Sequence, residues 1–476
     1  MATALEATQI LMKLDAELSR RRPNVNRLDA RYRGDHGRLR FASEQFSEYF
    51  AQRYSGFSDN WVGVVADAPV ERLEVVGIRP DGDDREGDQE LWRTWRSNDA
   101  DQMSDLAFLD AVVTARSFAL VWGDSDDNAV ITWESPAQAI VAYNSETRAR
   151  AAGAKVWSDE ESDYATLYLP DEVWKFARPT SSRPSSLWTP QFEGSGGWAP
   201  REVDGEPWPL PNPLGVVPLV ELQNRPRLVG EPMSDVEGTI AMQDAINLLW
   251  SYLFNAADYG SFKQRIVLGA EYPKIPVLDD AGNVVGTRPV DIQKFAVDRV
   301  LFLEDPTAKV AQWDETPLEN YTKVLEVCVR HLAAQTRTPA SYILAELVNV
   351  SAEAIQLTET GLVAKTHEKT EHFGRSIREV FRLVCLVEGD TGKAEAVAAG
   401  TVLWRDVETR SQAQLVDSLL KLKSMGLPTR FLLERLGLGP TEIERVMAMR
   451  EDELANDPVA ALAGLVKQSE APASTP

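Results

Sequence analysis

Pro317-Leu318-Glu319-Asn320-Tyr321-Thr322-Lys323-Val324-Leu325-Glu326-Val327-Cys328-Val329-Arg330-His331-Leu332-Ala333-Ala334 sets Leu318, Tyr321, Leu325, Cys328 and Leu332 at steps of three, four, three and four. That rhythm draws one apolar seam along one face of a helix. A second helix, read over 234–262, carries Met242, Ile246, Leu249 and Leu253 at steps of four, three and four. Between them, 263–316 reads as strands: Arg265 to Leu268, then Val277-Leu278 and Val284-Val285 across an Asp279-Asp280-Ala281-Gly282-Asn283 turn, then Val300 to Leu303. A helical pair with a small β tip at its far end is the feature around which the chain is arranged. One seam per helix is too little for a lone projecting pair, so neighbouring copies are expected to complete the burial of those eight seam positions, Cys328 aside.

Outward from the pair, Gln335 to Val350 must bend, because Pro339 lacks a donor and clashes with a preceding helical turn. A helix over 351–388 follows, with Phe373, Ile377, Val380, Val384 and Val387 on one stripe. At 1.5 Å per residue its length is on the order of 55 Å, unusual inside a compact domain. Upstream of the pair, 179–232 holds 11 of the 27 prolines and reads as a crossing or linker, not core. Before it, 118–122, 129–134, 138–143, 153–158, 164–169 and 172–178 are short Val-, Ile-, Trp- and Tyr-rich runs of an antiparallel meander. The N-terminal part predicts helices over 5–18, 43–68 (stopped near Pro69) and 88–116, with an acidic loop over 81–88. Near the other end, Ser411 to Met425 is a helix ended by Gly426, Pro428 opens the next at its first turn, and 441–453 is a third, before a disordered tail over 469–476. The fold class is α+β, predominantly helical.

Composition narrows the function. The chain has 476 residues, and 50 basic against 73 acidic side chains leave a net charge of −23. Such a balance argues against a protein that grips nucleic acid by neutralising phosphates. Cys328 and Cys385 are its two cysteines, too few for a disulfide framework or a zinc site. No charge-free run reaches the ~18 residues of a membrane span, and Met1 to Lys13 lacks the pattern of a signal peptide. A soluble protein of cytosolic origin is expected.

The motifs that would carry chemistry fail on spacing. His367 and His372 are five apart, whereas a zinc-protease helix needs four. Asp124-Ser125-Asp126-Asp127-Asn128 starts like a calcium loop, but Ala129 and Ser135 stand where glycine and a bidentate glutamate are required, so a hairpin turn explains it better. Gly194-Ser195-Gly196-Gly197 opens no helix and precedes no Lys-Ser/Thr, so it is neither phosphate cradle nor nucleophile elbow. No catalytic residue, cofactor or metal is expected. The segment 20–40 stands apart, with eight arginines (Arg20, Arg21, Arg22, Arg27, Arg31, Arg33, Arg38, Arg40) against Asp29 and Asp35. It reads either as a contact for nucleic acid or an acidic protein, or, the reading favoured here, as a solvated helix end paired with the chain's own carboxylates.

Several local stretches resemble the portal proteins of tailed bacteriophages, the siphophage type. Tyr32-Arg33-Gly34-Asp35 with Leu39-Arg40-Phe41 is similar to the family's N-terminal stretch, and Asn60-Trp61 to Asp67 with Glu71-Arg72-Leu73 to its next helix and strand. Leu210-Pro211-Asn212-Pro213-Leu214-Gly215-Val216-Val217-Pro218 with Asn224-Arg225 resembles the crossing before the stem. Leu427-Pro428, Leu433-Glu434-Arg435-Leu436-Gly437-Leu438 and Glu442-Ile443-Glu444-Arg445 resemble the crown helices. Each is mostly turn and packing residues, and their shared order over about 420 residues gives the resemblance its weight.

The resemblance implies one subunit of a homododecameric ring at a single capsid vertex, a conduit for genome packaging and ejection. It divides the chain into a wing (1–233 and 351–403), stem helices (234–262 and 317–334), a clip (263–316), a tunnel loop (335–350) and a crown with C-terminal tail (404–476). It implies double-stranded DNA held weakly and without sequence preference by the tunnel-loop residues Arg337, Pro339, Ser341, Tyr342, Ile343, Leu344 and Glu346. Against the family's pattern, 341–347 has no glycine and is compatible with helix. The clip tip Asp279, Asp280, Gly282 and Asn283 would face the terminase motor and, later, the head-completion or adaptor protein. The major capsid protein would surround the ring, in the virion and, during assembly, the host cytoplasm. Two other classes remain open: another structural virion component of capsid or tail, and a nucleic-acid-processing or hydrolytic phage enzyme using paired carboxylates.

Overall fold

The computed structural model describes residues 2–37, 54, 57–81, 87–179, 197–261, 265–269, 274–278, 282, 284–289, 300–303, 305–307, 317–339, 342, 352–408 and 412–455. The fold is α+β. It divides into one unit of 1–35, 60–240 and 333–476 and another of 36–59 and 241–332.

The first unit opens with α1 (Ala4–Tyr32), started by a capping box in which Thr3 and Glu6 satisfy each other's amides. The expected break after residue 18 is absent. Pro23 lies inside the helix, and the buried face runs on from Leu11, Leu14 and Leu18 to Val25 and Leu28. Burial of those side chains, about 1.5–3 kcal/mol each, outweighs the one backbone bond that proline removes. The expected helix over 43–68 is likewise redrawn. Residues 57–60 are not helical, Asn60 caps α2 (Trp61–Val70), and Pro69 sits within its last turn; 43–53 lie outside the described residues. The helix expected over 88–116 is two, α3 (Gln89–Ser97) and α4 (Ala100–Thr114), because Asp99 takes φ 50° between them.

The strands come where expected, but they form two sheets and not one meander. β2 (Arg116–Gly123) pairs β3 (Ala129–Glu134), while β4 (Ala139–Tyr143), β5 (Arg150–Ser158), β6 (Ser162–Tyr168) and β7 (Glu172–Pro179) run antiparallel in a separate sheet. The proline-rich crossing also contributes core. Its Leu219–Gln223 adds a strand to the free edge of β2, with Leu219, Val220 and Leu222 buried. Among the elements not foreseen are α5 (Thr391–Ala399) and a strand at Thr401–Trp404 that pairs antiparallel with β1 (Val75–Arg79). Gly400 joins them, and a Cβ there would stand 2.4 Å from the Arg79 carbonyl, so only glycine fits.

The long helix, α6 (Ala352–Val387), is the axis of the main core. Phe373, Ile377, Val380, Phe381 and Val384 are buried, with Phe108 stacked on Phe373 at 5.3 Å and Trp95 on Phe381 at 4.9 Å. A second core lies between α1 and the β4–β7 sheet, where Leu11 and Leu18 join Val156, Leu167 and Phe176. Beyond 404 come three helices: α7 (Gln412–Ser424), α8 (Thr429–Arg435) and α9 (Pro440–Ala455). Pro428 is the cap of α8, one position earlier than expected.

The second unit contains most of α10 (Ile240–Ser261) and of α11 (Glu319–Thr336), together with the strands between them. Lys274–Leu278 and Val284–Pro289 form an antiparallel hairpin, while Arg265–Leu268 and Val300–Leu303 pair in parallel. Its aromatic cluster joins Tyr54, stacked on Phe254 at 4.6 Å, to Phe57 and Trp250; the Trp250 indole donates to Asp59 at 2.7 Å.

Candidate channel and assembly elements

The end of α11 is fixed by its own backbone. The Thr338 amide donates to the Ala333 carbonyl at 3.0 Å and Arg337 takes φ 55°, the left-handed stop of a Schellman motif. Arginine there accepts strain that glycine would avoid. Thr338 and Pro339 are buried, so the bend expected at Pro339 starts two residues earlier and packs inward. Arg337 itself is exposed.

A buried charge cluster holds this turn. Lys365 Nζ on α6 donates to the Thr336 carbonyl at 3.3 Å and stands 3.0 Å from Asp235 Oδ2. Lys369, one turn on and 2% exposed, stands 2.8 Å from the same carboxylate and donates to Asn224 Oδ1 at 2.5 Å. Asn224 in turn donates to Asp235 Oδ1 at 3.1 Å. Burial opposes charge on both Lys369 and Asp235. For Lys369 desolvation wins over the attraction of Asp235 and pulls the ammonium down to about 8. Desolvation of Asp235 is outweighed by the two lysines, which hold it well below the usual carboxylate range. Sequence reasoning missed this cluster, although Lys369 continues the stripe of Phe373 and Ile377 backwards by four, which is the signal for a buried lysine.

Of the other residues expected in a tunnel loop, Tyr342 accepts a hydrogen bond from Arg72 at 3.0 Å, and Arg72 pairs with Glu359 at 3.3 Å. Ser341, Ile343, Leu344 and Glu346 lie outside the described residues, as do Asp279, Asp280 and Asn283 of the tip. Gly282 is exposed at φ 83°, the left-handed position of the hairpin turn.

The expected seam divides. Ile246, Leu325 and Leu332 are buried within a single chain; Met242, Leu249, Leu253 and Tyr321 are half-buried, and Leu318 is exposed. Val329, not Cys328, completes the buried line with Leu325 and Leu332.

Several arginines of α1 pair with the chain's own carboxylates. Arg20 and Arg21 pair with Glu17 at 2.6 and 2.7 Å, Arg21 also with Glu231 at 3.2 Å, and Arg27 with Glu237 at 2.9 Å. Arg22 is buried and donates to the Ala137 carbonyl at 3.0 Å. Asp124 accepts from the amides of Asp126 and Asn128 at 2.8 and 2.9 Å, as a hairpin turn does. Among the described residues no group of His, Cys, Asp and Glu is placed to hold a metal ion, and no helix is long and apolar enough to cross a membrane.

A family model described as phage portal protein, SPP1 Gp6-like, matches residues 11–453. The chain is also similar to the portal proteins of Mycobacterium phages D29 and L5. Each is 28% identical over 412 residues, which cover 82% of this chain and 78% of the relative.

Proposed function

Because the chain belongs to the SPP1 Gp6-like family of phage portal proteins, we propose that twelve copies close into a ring at one capsid vertex and form the conduit through which genome DNA is packaged and later ejected. In this reading 1–233 and 351–403 are the wing, α10 and α11 the stem, 263–316 the clip, 335–350 the tunnel loop and 404–476 the crown. The clip docks the terminase and later the head-completion protein, the major capsid protein surrounds the wing, and the role is structural and not catalytic.

The observation that carries the reading is the extent of the family match, 11–453, which spans the helix–tip–helix insertion, the long helix after it and the C-terminal helices together. The charge agrees with it. DNA that must slide in both directions is served by contacts that hold phosphates weakly, and a net charge of −23 supplies a repelling wall. The test is native mass spectrometry of the full chain with negative-stain imaging. A closed ring of twelve with an axial opening is expected. A monomer at micromolar concentration, or an open filament, would overturn the reading.

A further inference from the structure

Leu228 and Val229 are 87% and 88% exposed, the most exposed large apolar side chains among the described residues. They stand on an ordered loop. At its base the Met233 amide donates to the Asn224 carbonyl at 3.1 Å and the Asn224 side chain donates to the Met233 carbonyl at 2.7 Å. Its far side is tied by Glu231 to Arg116 and to Arg21. Two adjacent aliphatic side chains fixed in water forgo burial that a partner surface would recover. Beside them Arg227 touches the Met233 sulfur at 3.6 Å and has no ion pair among the described residues.

The complementary surface lies on α4 of the same unit. Met103 and Leu106 are 41% and 57% exposed, three apart on one face. Asp105 lies between them and Asp101 one turn back; neither has an ion pair among the described residues. Partial burial, then the charges of Glu74 and Asp101, push the Asp105 carboxyl up to about 6. One surface is therefore apolar with an unpaired cation, the other apolar with unpaired anions. Both are exposed, so neither covers the other within one chain. Two different patches on one chain that fit each other make a head-to-tail contact, the kind that closes rings.

We propose that Leu228 and Val229 of one copy pack on Met103 and Leu106 of the next copy of this chain, with Arg227 facing that copy's Asp101 and Asp105. The proposal rests on the ring reading above and deepens it by naming a contact. Its test is disulfide trapping in the full chain with Leu106→Cys and Val229→Cys, the wild type with Cys328 and Cys385 serving as background. The double variant is expected to give a ladder of covalent multimers beyond the dimer on mild oxidation, and each single variant none. A charge exchange is the second arm. Arg227→Glu should raise the concentration for half-assembly about tenfold, and Asp105→Lys added to it should restore most of that loss. Rings that form without a ladder would overturn this contact and leave the portal reading standing, as would dimers from Val229→Cys alone or charge changes that simply add. No assembly of the wild type would overturn both.

Discussion

Asp235→Asn would leave Lys365 and Lys369 buried beside each other with no counter-charge. Both ammonium groups lie within 3.0 Å of the carboxylate, and the carboxylate side chain is 2% exposed. Breaking a buried pair from one side costs about 3–5 kcal/mol, because the remaining charge is neither solvated nor paired. Lys369→Met is the contrasting change. It removes the contact at 2.8 Å and the Asn224 hydrogen bond, but leaves Lys365 opposite Asp235 in a balanced pair. Its cost at pH 7 should stay within ~2 kcal/mol.

The pH dependence separates the two effects. Lys369 titrates near 8 in the folded chain against an ordinary 10.5, with Asp235 the attracting charge and Lys365 and Arg225 the repelling ones. Below pH 8 both states carry the proton and stability does not change with pH through this group. Between 8 and 10.5 the unfolded chain binds the proton and the folded chain does not, so stability rises with pH. The full rise is about 3 kcal/mol, and above 10.5 it levels off. Urea unfolding followed by tryptophan fluorescence, at pH 7 and 10, should therefore show wild type gaining about 2.5 kcal/mol on Lys369→Met, and Asp235→Asn recovering part of its loss. A gap between wild type and Lys369→Met that is flat from pH 7 to 10 would refute the argument, and so would an Asp235→Asn variant as stable as wild type.

Leu332→Ala, at a fully buried position of α11, should lower stability by about 2–5 kcal/mol in the isolated chain, read as an earlier urea midpoint; an effect seen only on ring formation would move the seam back to a subunit contact. Arg337→Gly should raise stability by about 0.4–1 kcal/mol, because φ 55° costs glycine nothing, checked by thermal unfolding. Arg20→Ser with Arg21→Ser, Arg22 being kept because it is buried, should cost less than about 1 kcal/mol and leave incorporation into proheads unchanged; lost incorporation in a stable variant would assign the pair to a capsid contact. Deleting 279–286 should leave ring formation intact and abolish packaging, scored by DNA protected from nuclease.

Periodicity carried most of the fold. The stripe over 351–388 and the strand runs over 118–178 needed only spacing and β-branched content to be placed within a few residues. What spacing cannot give is the partner. The strand runs divide into two sheets, and the β2–β3 pair takes a strand from the proline-rich crossing, a contact about a hundred residues distant in sequence. The strand at Thr401–Trp404 is too short to show a period, and its pairing with β1 is longer-range still. The continuation of α1 past residue 18, through Pro23, rests on tertiary packing that local spacing does not reveal. In the candidate site, the bend near Pro339 was legible from proline chemistry. The clamp of Lys365 and Lys369 on Asp235 was not, since a lone carboxylate 130 positions upstream of Lys365 is one acidic residue among 73.

A conduit for DNA needs stiff walls and weak holds, and the two demands meet in how this chain places its cations. Arg20, Arg21 and Arg27 each face a glutamate, Arg178 stands between Asp15 and Asp163, and Lys365 and Lys369 share Asp235. Paired inside one subunit, these cations tie α1 to the loop before α10, the β sheet to α1, and the end of α11 to α6. They are correspondingly withheld from phosphate, and within 20–40, the segment that reads most like a nucleic-acid contact, Arg20, Arg21 and Arg27 are engaged where they stand. With those cations engaged, the net charge of −23 is the repelling field proposed above for a passing duplex. Stiffness and slipperiness then have one origin: a basic residue engaged in holding the wall cannot also hold the DNA.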